Sequence, residues 1–292
     1  MFCALFRASV TSSLEYSLSD DPDTFGTMVR GDAGVLDAVG AFVLGTPFAG
    51  AWYSAAVRSF RRLMPVASLF RVDWRAERPV ATTLYMKFPH APTDSALRDL
   101  LSVARPFGWH GPSPVAVAAA VGLAGPTGIG LRGTASGAGQ VALYYLIETA
   151  RGALKPLMLR RLLATIDMSG AERIVSDSVT LASSCPLSVI GLDGGSTEGL
   201  KSLKMDWGEV PIRVARALVA SMGASPRALV HLNGLSNHLR ARWLSYLSLK
   251  YASTGFAGWR AYFSTEPYRC ISAGLPSLQG RERYAGARMP HY

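Results

Sequence analysis

The sequence predicts an α+β fold: one closed antiparallel barrel of ten strands, built from repeated ααββ units with the helices outside. Two observations carry this expectation. Four pairs of strand-like runs flank short turns: VASLFRVDW and PVATTLYMKF around RAER, TGIGLRGT and QVALYYLIE around ASGAG, LSVIGLD and LKSLKMDW around GGSTEG, RWLSYLSLKY and AGWRAYFS around ASTGF. Each run alternates apolar with polar or cationic residues, and helical patterns lie between the hairpins. A sheet with one apolar face under helices and one polar face closes naturally around a polar lumen.

At the N-terminus, CALFRASV and SLEYSLS over residues 2–19 read as a first strand pair, giving a fifth hairpin. Asp20, Asp21 and Asp23 read as a turn. Helical patterns cover residues 34–44 and 51–63, the second ending in Arg61 and Arg62 before Pro65, where cations suit a helix C-terminus. Thr93 or Asp94 caps a helix over 95–104, and Ser113 caps another reaching residue 123. Amphipathic helices follow over 154–166 and over 210–222, the latter with Pro211 in its first turn. The barrel domain is expected to span residues 1–265. The Gly-, Pro- and Arg-rich remainder, 266–292, is expected to be a loosely ordered tail.

Strand parity sorts the residues by face. Phe70, Val72 and Trp74 share one face with Leu84, Met86, Leu143, Leu203, Trp207, Leu247 and Phe263. The other face collects Arg71, Lys87, Arg132, Lys204, Arg242, Lys250 and Arg260, together with Tyr85, Tyr144, Tyr246 and Tyr262. A merely wet face favours Thr, Glu, Lys and Gln over large aromatics. Cations interleaved with tyrosines therefore point to a binding chamber.

The 292 residues are 49% hydrophobic and only 17% charged, which excludes disorder and implies a sizeable core. The net charge of +10 calls for an anionic partner. Arginines scattered over many strands fit a phosphorylated small molecule better than a basic tail or helix would. The three cysteines form no CxxC pair, and the five histidines lack zinc-site spacing. The longest apolar run, 115–125, is too short to span a bilayer. A cytoplasmic monomer with no membrane span and no nucleic-acid partner is expected. GGSTEG and GIGLRGTASGAG lack a P-loop's lysine and its strand-to-helix setting, and no GxSxG elbow occurs.

At the level of whole segments, residues 12–265 resemble the aromatic prenyltransferases of the ABBA (αββα) barrel fold, of the bacterial naphthalene/phenol type. The segments that carry the likeness are SSLEYSLSDDPDTFGTMVRGD, which looks like the family's first strand and the start of the helix after it, AAVRSFRRLMPVASLFRVDWRAERPVATTLYMKFP, QVALYYLIE, LSVIGLDGGSTEGLKSLKMDW and RWLSYLSLKYASTGFAGWRAYFST. The resemblance implies transfer of an allylic group from a prenyl diphosphate, dimethylallyl or geranyl, to an electron-rich aromatic small molecule. It also implies roles for the lumen residues. Arg71, Lys87, Arg132, Lys204, Arg242, Lys250 and Arg260 would bind diphosphate, Tyr85, Tyr144, Tyr246 and Tyr262 would shield the cation, and Asp73 would hold a magnesium ion of the kind that some members of the family need and others do without. Glu148 or Asp206 would take the proton lost on rearomatisation. The residues themselves leave two other classes open: a non-catalytic carrier of a phosphorylated or aromatic ligand, and a nucleic-acid-binding sheet.

Overall fold

Alternating, β-branched and aromatic runs become strands wherever one face can be buried. A computed structural model describes residues 14–19, 21, 23–31, 67–76, 78–88, 94–104, 109–134, 139–147, 154–194 and 200–264. Its strands are β1 (Leu14–Ser19), β2 (Thr24–Gly31), β3 (Ala67–Arg75), β4 (Arg78–Lys87), β5 (Gly128–Thr134), β6 (Gly139–Leu146), β7 (Leu187–Gly194), β8 (Leu200–Pro211), β9 (Trp243–Ala252) and β10 (Gly255–Ser264). Consecutive strands pair antiparallel throughout and β10 returns to pair with β1, so the sheet closes. Every hairpin turn consequently lies at one end of the barrel, and every longer crossover at the other.

The described helices are α1 (Asp94–Ala104), α2 (Pro114–Ala120), α3 (Pro156–Thr165), α4 (Glu172–Leu181), α5 (Ile212–Ser221) and α6 (Pro226–His238). Ser113 caps α2 as its sequence position suggests, and Ser225 caps α6, accepting from the Ala228 N–H at 3.1 Å. Among these helices none is long and apolar enough to cross a membrane.

The core lies between the helices and the outer face of the sheet. Leu84, Met86, Leu131, Leu143, Leu203, Trp207, Leu247 and Phe263 form one cluster with Leu162 of α3, Val175 of α4, Leu218 of α5 and Leu232 of α6. These side chains are essentially inaccessible, and each buried Leu, Met or Phe stabilises the fold by about 1.5–3 kcal/mol. The apolar parity set faces outward to the helices, leaving the cationic set inside.

The first hairpin differs from expectation. β1 pairs with β2 rather than with a strand over 2–10, and residues 24–31 are extended rather than the start of a helix. In TFGTMVRG the residues Phe25 and Thr27 alternate outward. Phe25 stacks on Trp74 with ring centroids 6.3 Å apart, and the Trp74 Nε1–H donates to Thr27 Oγ1 at 2.8 Å. The intervening turn is the acidic one: Thr24 N–H donates to the Asp21 carbonyl at 3.1 Å and Thr24 Oγ1–H to Asp21 Oδ2 at 2.8 Å. The segment 2–10, the helical patterns at 34–44 and 51–63, Glu148 and the tail at 266–292 lie outside the described residues.

Candidate active site

Each cation of the chamber arrives because strand pairing stacks lumen-facing positions side by side. Arg71 on β3 pairs with Thr83 on β4, Thr83 with Arg132 on β5, Lys204 on β8 with Lys250 on β9, and Ser248 on β9 with Arg260 on β10. At the hairpin end they enclose a cavity of about 210 Å³ lined by Arg71, Thr83, Tyr85, Arg132, Gln140, Tyr144, Asp193, Lys204, Ser248, Lys250, Trp259, Arg260 and Tyr262. Eight of the twelve residues singled out from sequence line it directly.

Asp73 sits behind this lining, its side chain only 2% exposed, and gathers three guanidinium groups. Arg71 Nε and Nη2 lie 2.7 and 2.6 Å from Oδ1, Arg260 Nη1 lies 3.3 Å from Oδ1, and Arg132 Nη2 lies 3.1 Å from Oδ2. Arg71 Nη1–H also donates to the Tyr262 hydroxyl at 3.1 Å. Burial disfavours the charged form of Arg71, but the Asp73 carboxylate and the phenols of Tyr262 and Tyr85 outweigh it and hold its pKa above the ordinary value. Arg71 stays charged although it is enclosed.

Lysines form the opposite wall. Lys204 Nζ is 3.1 Å from Asp206 Oδ2, and Ser248 Oγ–H donates to the other oxygen of that carboxylate. Lys250 pairs with Asp193, which also accepts from Ser202 Oγ–H at 2.9 Å. Burial opposes the charges of Lys204 and Asp193. For Lys204 the Asp206 carboxylate and nearby phenols prevail and raise its pKa well above the usual value, while Lys250 prevails at Asp193 and lowers its pKa.

The tyrosines stand between the two walls. Tyr85 and Tyr144 meet at a centroid separation of 5.7 Å and an interplanar angle of 56°. Lys204 Nζ lies 5.5 Å from the Tyr144 centroid and 5.8 Å from that of Tyr262, over which the Arg71 guanidinium also sits at 5.7 Å. Burial raises the phenol pKa of Tyr85, and of Tyr144 well above its ordinary value. These rings are therefore neutral, electron-rich surfaces suited to a cation.

Three predicted site residues fall elsewhere. Arg242 precedes β9, is exposed, and lies at the crossover end of the barrel. Lys87 closes β4 at that same end, and Tyr246 lies toward it on β9; neither lines the cavity. Parity gives the face of a strand but not the depth along the barrel. Parity alone would have placed Asp193 in the lumen, since it shares the face of Gly191, which pairs with Lys204.

To a magnesium ion, which usually keeps several waters and binds one or two carboxylates together with substrate phosphates, Asp73 offers a single carboxylate set among three guanidiniums, with Oδ2 buried and without a hydrogen-bond partner among the described residues. Among the described residues no group of three or more His, Cys, Asp or Glu side chains could hold a metal ion.

No family model and no curated protein matches the chain. Solved structures do. PriB in a binary complex with product diphosphate is similar at 13% identity and a TM-score of 0.63, over 87% of this chain and 80% of that one. The 5-dimethylallyl tryptophan synthase of Streptomyces coelicolor, in complex with DMASPP and Trp, aligns at 12% identity and TM-score 0.58 over 91% and 83%. NotF, in complex with brevianamide F and DMSPP, aligns at 13% identity and TM-score 0.62 over 87% and 81%. With its ten-stranded closed barrel and flanking helices, the chain has the ABBA, or prenyltransferase-barrel, fold.

Proposed function

We propose that the chamber is the active site of an aromatic prenyltransferase, which moves an allylic group from a prenyl diphosphate to an electron-rich aromatic small molecule by electrophilic substitution. The observation that carries this reading is the convergence of Arg71, Arg132, Lys204, Lys250 and Arg260 with Tyr85, Tyr144 and Tyr262 around one cavity. Arg132 Nε is buried and has no hydrogen-bond partner among the described residues, a donor left for a ligand. The five cations face four carboxylates, Asp21, Asp73, Asp193 and Asp206, so the chamber keeps a positive excess for an anionic donor. Cations directed into a closed lumen also suit a small anion rather than a nucleic-acid strand.

Ionisation of the donor breaks the carbon–oxygen bond to the diphosphate, leaving an allylic cation and concentrating negative charge on the departing oxygens. Fixed guanidinium and ammonium donors in a water-poor space stabilise that charge without reorganising. The Tyr144, Tyr85 and Tyr262 faces shield the cation from water. The aromatic carbon then supplies the bonding pair, and the ring proton is lost to water, since Asp206 is held by Lys204 and Ser248 and does not line the cavity. No protein-held magnesium enters this scheme, because the lumen cations do the neutralising. The likeness to a dimethylallyl tryptophan synthase supports an indole acceptor and a dimethylallyl donor as the first pair to try.

Incubation with dimethylallyl or geranyl diphosphate and a panel of indoles, phenols, naphthalenes and phenazines tests the reading. Prenylated product is expected with at least one acceptor. Tight binding of donor or aromatic without turnover would instead define a carrier.

A further inference from the structure

Among the described residues, Asp73 is the one carboxylate that touches three cations from three strands: Arg71 on β3, Arg132 on β5 and Arg260 on β10. We infer that Asp73 is a positioning residue, an internal anion that fixes three arginines in the geometry in which they receive the diphosphate. The inference rests on the prenyl-diphosphate reading above and replaces the metal-ligand role that the sequence resemblance implies for this residue.

Arg71 is fully enclosed, and a guanidinium in that position needs a fixed counter-charge. Its two contacts to Oδ1, at 2.7 and 2.6 Å, use Nε and Nη2, leaving the Nη1 edge turned toward Tyr262 and the lumen. Arg132 is about one-third exposed and Arg260 about one-fifth. Each of these uses one terminal nitrogen on Asp73, Nη2 and Nη1 respectively, which leaves the rest of its fork for a ligand. Three like charges in one corner repel each other and, without the carboxylate, would splay apart. With it they form a fork-lined concavity, and the ordering entropy is spent on folding rather than on binding.

The proposal predicts a sign opposite to that of simple charge counting. Asp73→Asn removes a negative charge beside an anion site, so point-charge electrostatics alone makes pyrophosphate bind more tightly. Positioning makes it bind more weakly, because the three guanidiniums lose their common anchor. The test is isothermal titration of inorganic pyrophosphate into wild type, Asp73→Asn and Asp73→Glu, with EDTA and separately with magnesium, alongside thermal unfolding of each protein. Asp73→Glu keeps the charge that Arg71 needs but moves the carboxylate outward by one methylene, so it remains informative where Asp73→Asn does not fold.

The expected order of affinity is wild type, then Glu, then Asn. The Asn variant should lose about tenfold or more, and the loss should be as large in EDTA as in magnesium. Asn binding as tightly as wild type or more tightly overturns the proposal. So does Glu equal to wild type where Asn cannot be folded, and so does a loss confined to magnesium buffer. Failure of folded wild type to bind pyrophosphate at all overturns the diphosphate reading of the chamber, and this inference with it.

Discussion

Lys204 holds its ammonium 5.5 Å from the centre of the Tyr144 ring, so the group that would grip the leaving diphosphate and the surface that would face the allylic cation are neighbours on adjacent walls. In the proposed reaction, charge would separate across this contact as the donor ionises. Lys204 is kept charged by Asp206 despite its burial, and Tyr144 is kept neutral by burial.

Lys204→Ala should therefore lower kcat by about 10²–10³, with a smaller effect on the KM for donor, because the lost interaction strengthens as the carbon–oxygen bond breaks. Steady-state rates at saturating dimethylallyl diphosphate check this. Unchanged kcat would remove Lys204 from the clamp.

Much of this relationship is legible in the sequence, because side chains alternate strictly along a strand and the lumen set could be read from LKSLKMDW or QVALYYLIE without knowing the fold. Its limits are physical. Lys87 and Tyr246 have the right parity but lie toward the crossover end, and Arg242 precedes its strand altogether. Pairing was invisible too, since Asp193 meets Lys250, and Asp73 meets Arg132 and Arg260, only through barrel closure. β2 is hard to read from sequence because its lumen positions Gly26 and Met28 are small or apolar, which blurs the alternation that marks the other strands.

Glycines set how Tyr144 lies. A Cβ at Gly191 would stand 3.0 Å from Tyr144 Cε1 and 3.3 Å from Lys204 Cβ, and one at Gly130 would stand 3.1 Å from Tyr144 Cε2 and 3.2 Å from the Tyr85 ring. The Tyr144 ring thus rests against the backbone of β7 on one side and β5 on the other. Gly191→Ala should tilt the ring into the lumen, cost about 1–3 kcal/mol of stability, and reduce kcat/KM for geranyl diphosphate more than for dimethylallyl diphosphate. Urea unfolding and a two-donor comparison measure both effects. An unchanged donor ratio would show that the ring does not limit the chamber.

Alkaline pH should weaken the fold in a defined way. Burial raises the phenol pKa of Tyr85, Tyr144, Tyr145 and Tyr251 in the folded chain. A raised folded pKa contributes stability that is fully present below the unfolded value, about 10 for Tyr, and is lost as pH rises through the folded values. Thermal unfolding temperature should fall progressively above about pH 10. The phenolate absorbance of these tyrosines should emerge together with unfolding, not before it. Full phenolate absorbance in a still-folded protein at that pH would contradict the enclosure of the rings.

Ionisation of a prenyl diphosphate in the cation-lined chamber is the event on which the proposed function turns, and bridge-oxygen scrambling reports it directly. Dimethylallyl diphosphate carrying heavy oxygen in its carbon–oxygen–phosphorus bridge is incubated with the protein and an aromatic too electron-poor to react, then recovered and analysed for label position. Ionisation and return within the chamber predict migration of the label into non-bridging positions, suppressed in Lys204→Ala. Recovered donor with its label wholly in the bridge, together with no prenylated product from any acceptor, would contradict the account.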